Sequence, residues 1–359
     1  MSFVKLRIIH ETNPKKYFPA LYELAESEDV KLVGAHRYSV CKEWLRAWLR
    51  DRTPLLTRTQ NALGDLALRA RIPFISGETI VIGFAPWDWR LLIYRHLAAR
   101  NRILYQTSWH DWRLEATPRQ PKPLWLKLYL QKQWHRFVAH PNVRVIAVTP
   151  TVAKTVLAET NVAATVIPHA VPEVFFEAGR ARGPSSTGPL KLLYVGEISE
   201  KKGIRQLLTI MQALSAEDVV LSVVGNGPLV DEVKAAGGKV TYLGPIYDRT
   251  KLAETMASHD ILMLLSQRTK TWEELFGIVI VEAIAAGCAV IATDHIGPVG
   301  ILGEGETVGL FDEKDSQSVL TLLRTIRIDR ENLTRLRGAQ QVAAQYSTQA
   351  VKSMWRSQL

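Results

Sequence analysis

Trp272-Glu-Glu-Leu-Phe-Gly-Ile-Val-Ile-Val-Glu-Ala-Ile-Ala-Ala-Gly287 runs straight into the apolar segment Cys288-Ala-Val-Ile-Ala292. The β-branched run Ile278–Val281 has strand propensity, but Glu-Ala-Ile-Ala-Ala after it is helical, and Gly287 is a fitting stop before a strand. The stretch therefore reads as a loop over Thr269–Leu275, a helix from about Phe276 to Ala286, and a buried strand over 288–292. A helix start here points the amides of Phe276, Gly277 and Ile278, with the positive end of the helix dipole, at whatever lies before it, which suits an anion. Gly277 lets a phosphate come close to the backbone. Glu274 precedes the helix and Glu282 lies two turns inside it, so two carboxylates can reach hydroxyls on either side of a bound phosphate. Hydroxyl-rich groups flanking a diphosphate describe a nucleotide sugar.

Outward from this segment, short apolar runs alternate with helical periodicity. In the second half the strand candidates are Leu190–Val195, Val219–Val224, Val240–Leu243, Ile261–Leu265 and Ala289–Ala292. In the first half they are Val4–Ile9, Val30–Gly34, Thr79–Gly83, Ile103–Gln106, Val143–Val148 and Thr165–Ile167. Continuous apolar strands separated by helices indicate parallel sheets covered on both faces, hence α/β domains of the doubly wound, Rossmann-like kind. Ligands in such sheets sit at the carboxyl ends of strands, and with two domains the natural site is the cleft between them. The Gly/Pro/Ser-rich stretch Ala178–Pro189 is suited to a linker.

Composition narrows the classes. The 359 residues, 47% hydrophobic and 22% charged, suggest two domains with sizeable cores and exclude widespread disorder. The longest stretch without Asp, Glu, Lys or Arg, Gly338 to Val351, is too short and too rich in Gln to span a membrane. Charge at Lys5, Arg7 and Glu11 leaves no signal-peptide apolar core, and Cys41 and Cys288 offer neither a disulfide framework nor metal-ligand spacing. A reduced, cytoplasmic protein is the expectation. Residues 1–180 hold 26 Lys and Arg against 15 Asp and Glu, a balance of +11, while residues 181–359 hold 19 against 20. Eight of the ten tryptophans share the basic half. A basic, Trp-rich half beside a neutral one suggests a domain that meets an anionic surface. Nothing beyond charge signals nucleic acid.

Glu274 and Glu282, with Phe276-Gly277 between them, resemble the E-x7-E motif of retaining GT-B glycosyltransferases of the "group 1" type. The similarity extends to Tyr194-Val-Gly-Glu-Ile-Ser-Glu-Lys-Lys-Gly203, to Val224-Gly-Asn-Gly-Pro228, to Leu243-Gly-Pro-Ile-Tyr247, to Ala257–Ser266 and to Ile167-Pro-His-Ala-Val171. It is close over residues 165–310; the first half shares only the α/β pattern. The resemblance implies a GT-B fold: an N-terminal acceptor-binding domain over 1–177, the linker 178–189, a nucleotide-sugar-binding domain over 190–340, and a C-terminal helix over 341–359 that returns to the first domain.

It also implies roles. Lys202 matches the lysine that neutralises the donor diphosphate, Glu282 the carboxylate on the nucleotide ribose, and Glu274 the one that contacts the transferred sugar. The amides at Phe276, Gly277 and Ile278 hold the diphosphate; Gly196, Gly225 and Asn226 line the donor at strand ends; Ile246 and Tyr247 fall where the base is contacted. Where the family carries an arginine five residues before its lysine, this chain has Glu197, whose charge Lys201 or Arg205 can answer. The loop His10–Lys16 lacks the family's Gly pair, so Asn13, Lys15 and Lys16 are candidates for contacts to diphosphate or acceptor. Gly297-Pro298-Val299-Gly300 lacks the usual Glu.

His110, after the strand Ile103–Gln106, matches a histidine that touches the transferred sugar or the acceptor, with Trp109 and Asp111 beside it. His169 and His295 fall at turns near the same cleft. Trp87, Trp89, Trp109 and Trp112 follow strand ends, either stacking on sugar or lipid or plugging the core. The helices Lys42–Arg52 and Pro123–Val138 each carry an apolar stripe that packs on the sheet or lies in a membrane interface. Lys202 and the helix amides place positive charge where the leaving diphosphate forms, and no Asp-x-Asp sequence occurs, so the expected reaction is retaining and metal-independent, with no cofactor. The expected partners are a UDP- or GDP-sugar donor, a glycan or lipid-linked acceptor and an anionic membrane surface. Such a protein would be peripheral on the cytoplasmic face, in bacterial cell-surface polysaccharide or lipopolysaccharide synthesis. An epimerase or phosphorylase on the same fold, or a noncatalytic binder, are the alternatives.

Overall fold

The computed structural model describes residues 3–11, 14–27, 29–37, 40–49, 54–114, 123–183, 188–269 and 272–359. Two compact units divide the chain: Met1–Ala170 with Val351–Leu359, and Val171–Ala350.

The first unit is built on six parallel strands, β1 (Val4–His10), β2 (Val30–Arg37), β3 (Thr79–Gly83), β4 (Arg102–Thr107), β5 (Val143–Ala147) and β6 (Ala164–Val166), in the order β2-β1-β3-β4-β5-β6. Residues 79–83 are all buried, as a strand covered on both faces requires. Leu6, Ile8, Val81, Leu104 and Ile146 form its core with Val351 and Trp355 of the helix Thr348–Arg356. That helix is pinned by an Arg356–Asp29 ion pair at 2.7 Å and by Arg102 donating to the Leu359 carbonyl at 2.8 Å. Trp87, Trp112 and Trp134 are sealed among Phe84, Tyr105 and Phe137. Trp87 and Trp112 are therefore core plugs, whereas Trp89 is exposed and Trp109 half-buried.

The second unit repeats the scheme with β7 (Leu190–Glu197), β8 (Val219–Asn226), β9 (Val240–Gly244), β10 (Ile261–Leu264), β11 (Ala289–Thr293) and the short β12 (Leu310–Phe311), in the order β12-β11-β10-β7-β8-β9. The chain reverses direction of winding between β1 and β3 in the first sheet and between β7 and β10 in the second, the places where doubly wound sheets open for ligands. The turn that follows β7 meets the segment after β10 so closely that glycine is required: a Cβ on Gly203, at φ +73°, would lie 1.7 Å from the Leu265 carbonyl oxygen.

The stretch 178–189, expected as a linker, does not separate the units. Its start belongs to the helix Glu173–Arg180, inside the second unit. Arg182 is fastened there, donating to the Ala257 carbonyl at 2.8 Å and pairing with Asp260 at 3.1 Å. The C-terminal stretch from 341 is likewise not one helix: a 3-10 turn over Ala343–Tyr346 precedes Thr348–Arg356.

Candidate functional site

The segment Trp272–Gly287 folds as a loop and a helix, with one shift from the expected helix start. The helix spans Ile278–Ala285, because Gly277 sits at its N-cap in the left-handed conformation, φ +67°, and takes itself and Phe276 out of the helix. The Ile280 amide already donates to the Gly277 carbonyl at 2.8 Å. The leading amide inside the helix is thus that of Ile278, with Gly277 forming the bend before it.

The loop ahead of this cap is held by the next crossover. The Gly297 amide donates to the Glu274 carbonyl at 2.9 Å, and the Ile296 amide donates to Glu273 Oε1 at 3.1 Å. A Cβ on Gly297 would come within 2.6 Å of the Phe276 nitrogen, so glycine there sets how closely the two segments pack. The Glu274 amide donates to His295 Nδ1 at 3.1 Å. An accepting Nδ1 carries no proton, so the fully buried His295 is neutral, with its Nε2 3.4 Å from Glu313. Burial, aided by Arg268, holds its pKa below the usual histidine value.

Against this backing, Lys202 and Glu274 form an ion pair, with side chains 19% and 13% exposed. The Lys202 ammonium also lies over the Trp272 ring, 4.7 Å from its centre, and Lys201 lies 5.4 Å from the same ring. Lys202 is placed by the 3-10 turn Glu200–Lys202 after β7, which ends at Gly203. A Cβ on Gly277 would be 3.7 Å from Glu274 Cγ, so the carboxylate and the helix cap are neighbours. Glu282 is buried within the helix at 4% exposure and pairs with Arg249, whose guanidinium stacks on Phe175 at 4.7 Å. Glu197 pairs with Lys201 at 2.9 Å and so turns its charge from Lys202, while Arg205 is engaged by Glu232 and Glu200.

Around these groups, Gly196 and Gly225, one position before the ends of β7 and β8, lie side by side, and a Cβ on Gly225 would lie 1.8 Å from the Gly196 carbonyl oxygen. Asn226 turns back to accept from the Gly227 amide at 2.8 Å. Ile246 is half-buried and Tyr247 is 85% exposed in the loop after β9. The second unit thus gathers Lys202, Glu274 and the Gly277 cap, with Glu282 two turns on. Arg249 was missed in the sequence because it lies 33 positions before its partner, on a different helix.

In the first unit a cavity of about 130 Å³ opens at the carboxyl ends of β1, β3 and β4, lined by His10, Tyr17, Gly83, Gln106, Trp109 and His169 among others. The His10 and Tyr17 rings are 5.0 Å apart and Tyr17 meets His169 edge-on at 5.6 Å. Burial lowers the His169 pKa to about 4. Trp109 lines this cavity. His110 does not, and its Nδ1 is enclosed without a hydrogen-bond partner among the described residues. Asp111 pairs with Arg113 at 2.6 Å, which holds its carboxyl below the usual range. Lys15 is exposed; Asn13 and the Lys16 side chain lie outside the described residues. His10, Tyr17 and Gln106 were not singled out as site residues by sequence, although His10 directly follows the predicted strand Val4–Ile9 and Gln106 ends the predicted strand Ile103–Gln106.

Two parallel Rossmann-like units, each with its ligand-opening strand ends, define a GT-B protein. Among solved structures, Anabaena HepE in complex with UDP superposes with a TM-score of 0.68 at 16% identity, each chain covered to 99%. Sucrose-phosphate synthase of Thermosynechococcus elongatus gives 0.66 at 16% identity, covering 99% of this chain and 98% of that one. The family model described as Glycosyl transferases group 1 matches residues 175–341, and the second unit is a domain of that family. Among curated relatives, the phosphatidyl-myo-inositol mannosyltransferase of Mycolicibacterium smegmatis is 33% identical over 138 residues, 37% of this chain and 34% of that protein. The sulfoquinovosyl transferase of Arabidopsis thaliana is 28% identical over 145 residues, 39% of this chain and 27% of that protein. The alignments thus span roughly a third of each of these curated relatives' own length.

Proposed function

We propose that the chain transfers a sugar, with retention at the anomeric carbon and without a metal ion, from a UDP- or GDP-sugar to a lipid-linked or membrane-associated glycan. The observation that carries this reading is the Lys202–Glu274 pair beside the Gly277 helix cap, in the unit that matches the family. Breaking the bond between sugar and diphosphate leaves growing negative charge on the leaving oxygens. Lys202 and the Ile278 amide supply fixed positive charge for that stage, which needs no ion. Before donor arrives, Glu274 and the Trp272 face hold the ammonium in place. A diphosphate, with more charge than one carboxylate, draws Lys202 to itself and frees Glu274 to accept hydroxyls of the transferred sugar. Glu282 meets the ribose hydroxyls once Arg249, half exposed, swings aside. The relatives named for transfer to phosphatidyl-inositol and the basic first unit support a membrane-attached acceptor. Such a transferase serves cell-surface polysaccharide or lipopolysaccharide assembly in a bacterium.

The test is thermal stabilisation by UDP, GDP, ADP and their sugars with chelator present, followed by turnover of whichever donor binds. A nucleotide at 100 times its dissociation constant adds about 2.7 kcal/mol. Lys202→Ala should keep the fold and lower turnover by about 10²- to 10³-fold. If no nucleotide stabilises the wild type, the transferase reading fails and a noncatalytic binder takes its place.

A further inference from the structure

Two helices inserted between β2 and β3, Val40–Leu49 and Leu55–Arg71, contact each other. An amphipathic helix ordinarily turns its apolar stripe inward. At 100° per residue, Leu55, Leu56, Leu63 and Leu66 share one stripe of the second helix, and Arg58, Leu68 and Ile72 lie on the side away from it. The side facing inward is the latter: Arg58, Leu68 and Ile72 are buried, whereas the four leucines are 61%, 72%, 59% and 52% exposed. The first helix does the same. Trp44, Leu45, Trp48 and Leu49 fall on one stripe, and the last three are among the exposed large apolar side chains. The Arg58 guanidinium lies 4.9 Å from the centre of the Trp44 ring, joining the two helices beneath their apolar faces.

Charge says what covers these faces. Residues 40–72 hold seven Lys and Arg against three Asp and Glu, and the first unit as a whole holds 27 against 13, a balance of +14. A second copy of the chain would set that charge against itself. No helix among the described residues is long and apolar enough to cross a membrane. Leucine and tryptophan interleaved with arginine on helices that do not span is the pattern of a segment lying in a bilayer interface, apolar face among the acyl chains and cations at the phosphates.

We propose that the helices Val40–Leu49 and Leu55–Arg71 dock the protein on an anionic phospholipid bilayer through Trp48, Leu49, Leu56 and Leu63, with the exposed Arg71 at the phosphates. This rests on the functional reading above for its purpose, which is to hold the transferase at a membrane-attached acceptor. The binding itself needs neither donor nor turnover, so the two readings fail separately.

The experiment is co-sedimentation of the full chain, without nucleotide, with vesicles of phosphatidylcholine alone and of phosphatidylcholine mixed with phosphatidylglycerol. The wild type should bind the mixed vesicles and release them as salt rises. The triple variant Trp48→Ser/Leu56→Ser/Leu63→Ser changes exposed side chains alone, so its circular dichroism should match wild type while vesicle binding falls at least about tenfold. Arg71→Glu should weaken binding to mixed vesicles independently of the apolar stripe. Ile328→Ser, which removes an 87% exposed apolar residue from the second unit, should leave binding unchanged. Absence of binding by the wild type overturns the proposal, as does equal binding by the triple and charge variants. So does a wild-type dimer in solution that the triple variant dissolves, because the faces then cover each other.

Discussion

The two units share a six-stranded parallel sheet and a reversal of winding, yet they finish their strands differently. In the second unit, β7 and β8 carry paired glycines one position before their ends, and the charged groups at the carboxyl ends of the sheet are already paired, Lys202 with Glu274 and Arg249 with Glu282. In the first unit the corresponding ends carry rings and amides, with His10, Tyr17, Gln106 and Trp109 around an open cavity. The first unit carries the excess positive charge, but among the described residues none that lines that cavity is Lys or Arg. Net charge therefore does not locate the site. In the second unit, which is acidic overall, local geometry sets a lysine beside a helix cap; in the first, the cation next to the cavity is Arg90, held 3.6 Å from Glu11 of its lining.

The largest effect is expected at Gly203. Its φ of +73° is unfavourable for any side chain, and the added Cβ would collide with the Leu265 carbonyl oxygen. Gly203→Ala should cost about 3 kcal/mol or more, from backbone strain together with overpacking. Urea unfolding followed separately in each unit, through Trp272 for the second and the buried tryptophans for the first, should show the loss in the second unit. A variant as stable as wild type would mean that the turn Glu200–Gly203 can move off Leu265 without cost, and that the close packing around Lys202 is not what places it.

Most of the fold was legible because buried parallel strands are uninterrupted apolar runs, and eleven such runs became strands. The two-residue β12, Leu310–Phe311, was missed because a run that short has no period to detect. The Glu274–Glu282 spacing was legible because both residues belong to one continuous loop and helix. Where that helix starts was not, since propensity cannot reveal that Gly277 would bend the chain into the left-handed region. Pairings across elements were equally hidden: Arg249 reaches Glu282 from another helix, and His295 holds the Glu274 amide from the following crossover. Of the two helices between β2 and β3, periodicity revealed the stripe of the first, read as Lys42–Arg52, but not which way it faces, and the second, Leu55–Arg71, was not read from the sequence.

Acid acts on the first unit through His169. His169 is held neutral, with its pKa lowered to about 4 from 6.5, mainly by burial. The unfolded chain takes up this proton first, so stability is complete above about 6.5 and falls as pH drops from there towards 4. The full shift corresponds to about 3 kcal/mol, and the part of the ring that reaches the cavity makes the realised loss smaller. His259 and His295 are shifted in the same direction in the second unit, so both units lose stability in acid. Melting curves at about pH 7.5 and about pH 4.5 should show a smaller acid loss in His169→Gln than in wild type, confined to the first unit. An unchanged difference would place the acid sensitivity elsewhere.

The smallest effect has the opposite sign and belongs to the outward-facing hairpin. Gly64 lies in the middle of Leu55–Arg71, and a Cβ added there meets nothing within 4 Å. Glycine in a helix interior costs conformational entropy that nothing at this position recovers, so Gly64→Ala should raise stability by about 0.5 to 1 kcal/mol. It is the converse of Gly203, where the same methyl group has no room. If Gly64→Ala instead weakened vesicle binding while stabilising the helix, Gly64 would be providing a bend that lets the leucine stripe follow the membrane surface. If it stabilised the helix and left binding intact, the stripe would act as a straight amphipathic element, and docking would depend on which side chains face outward rather than on how the helix flexes.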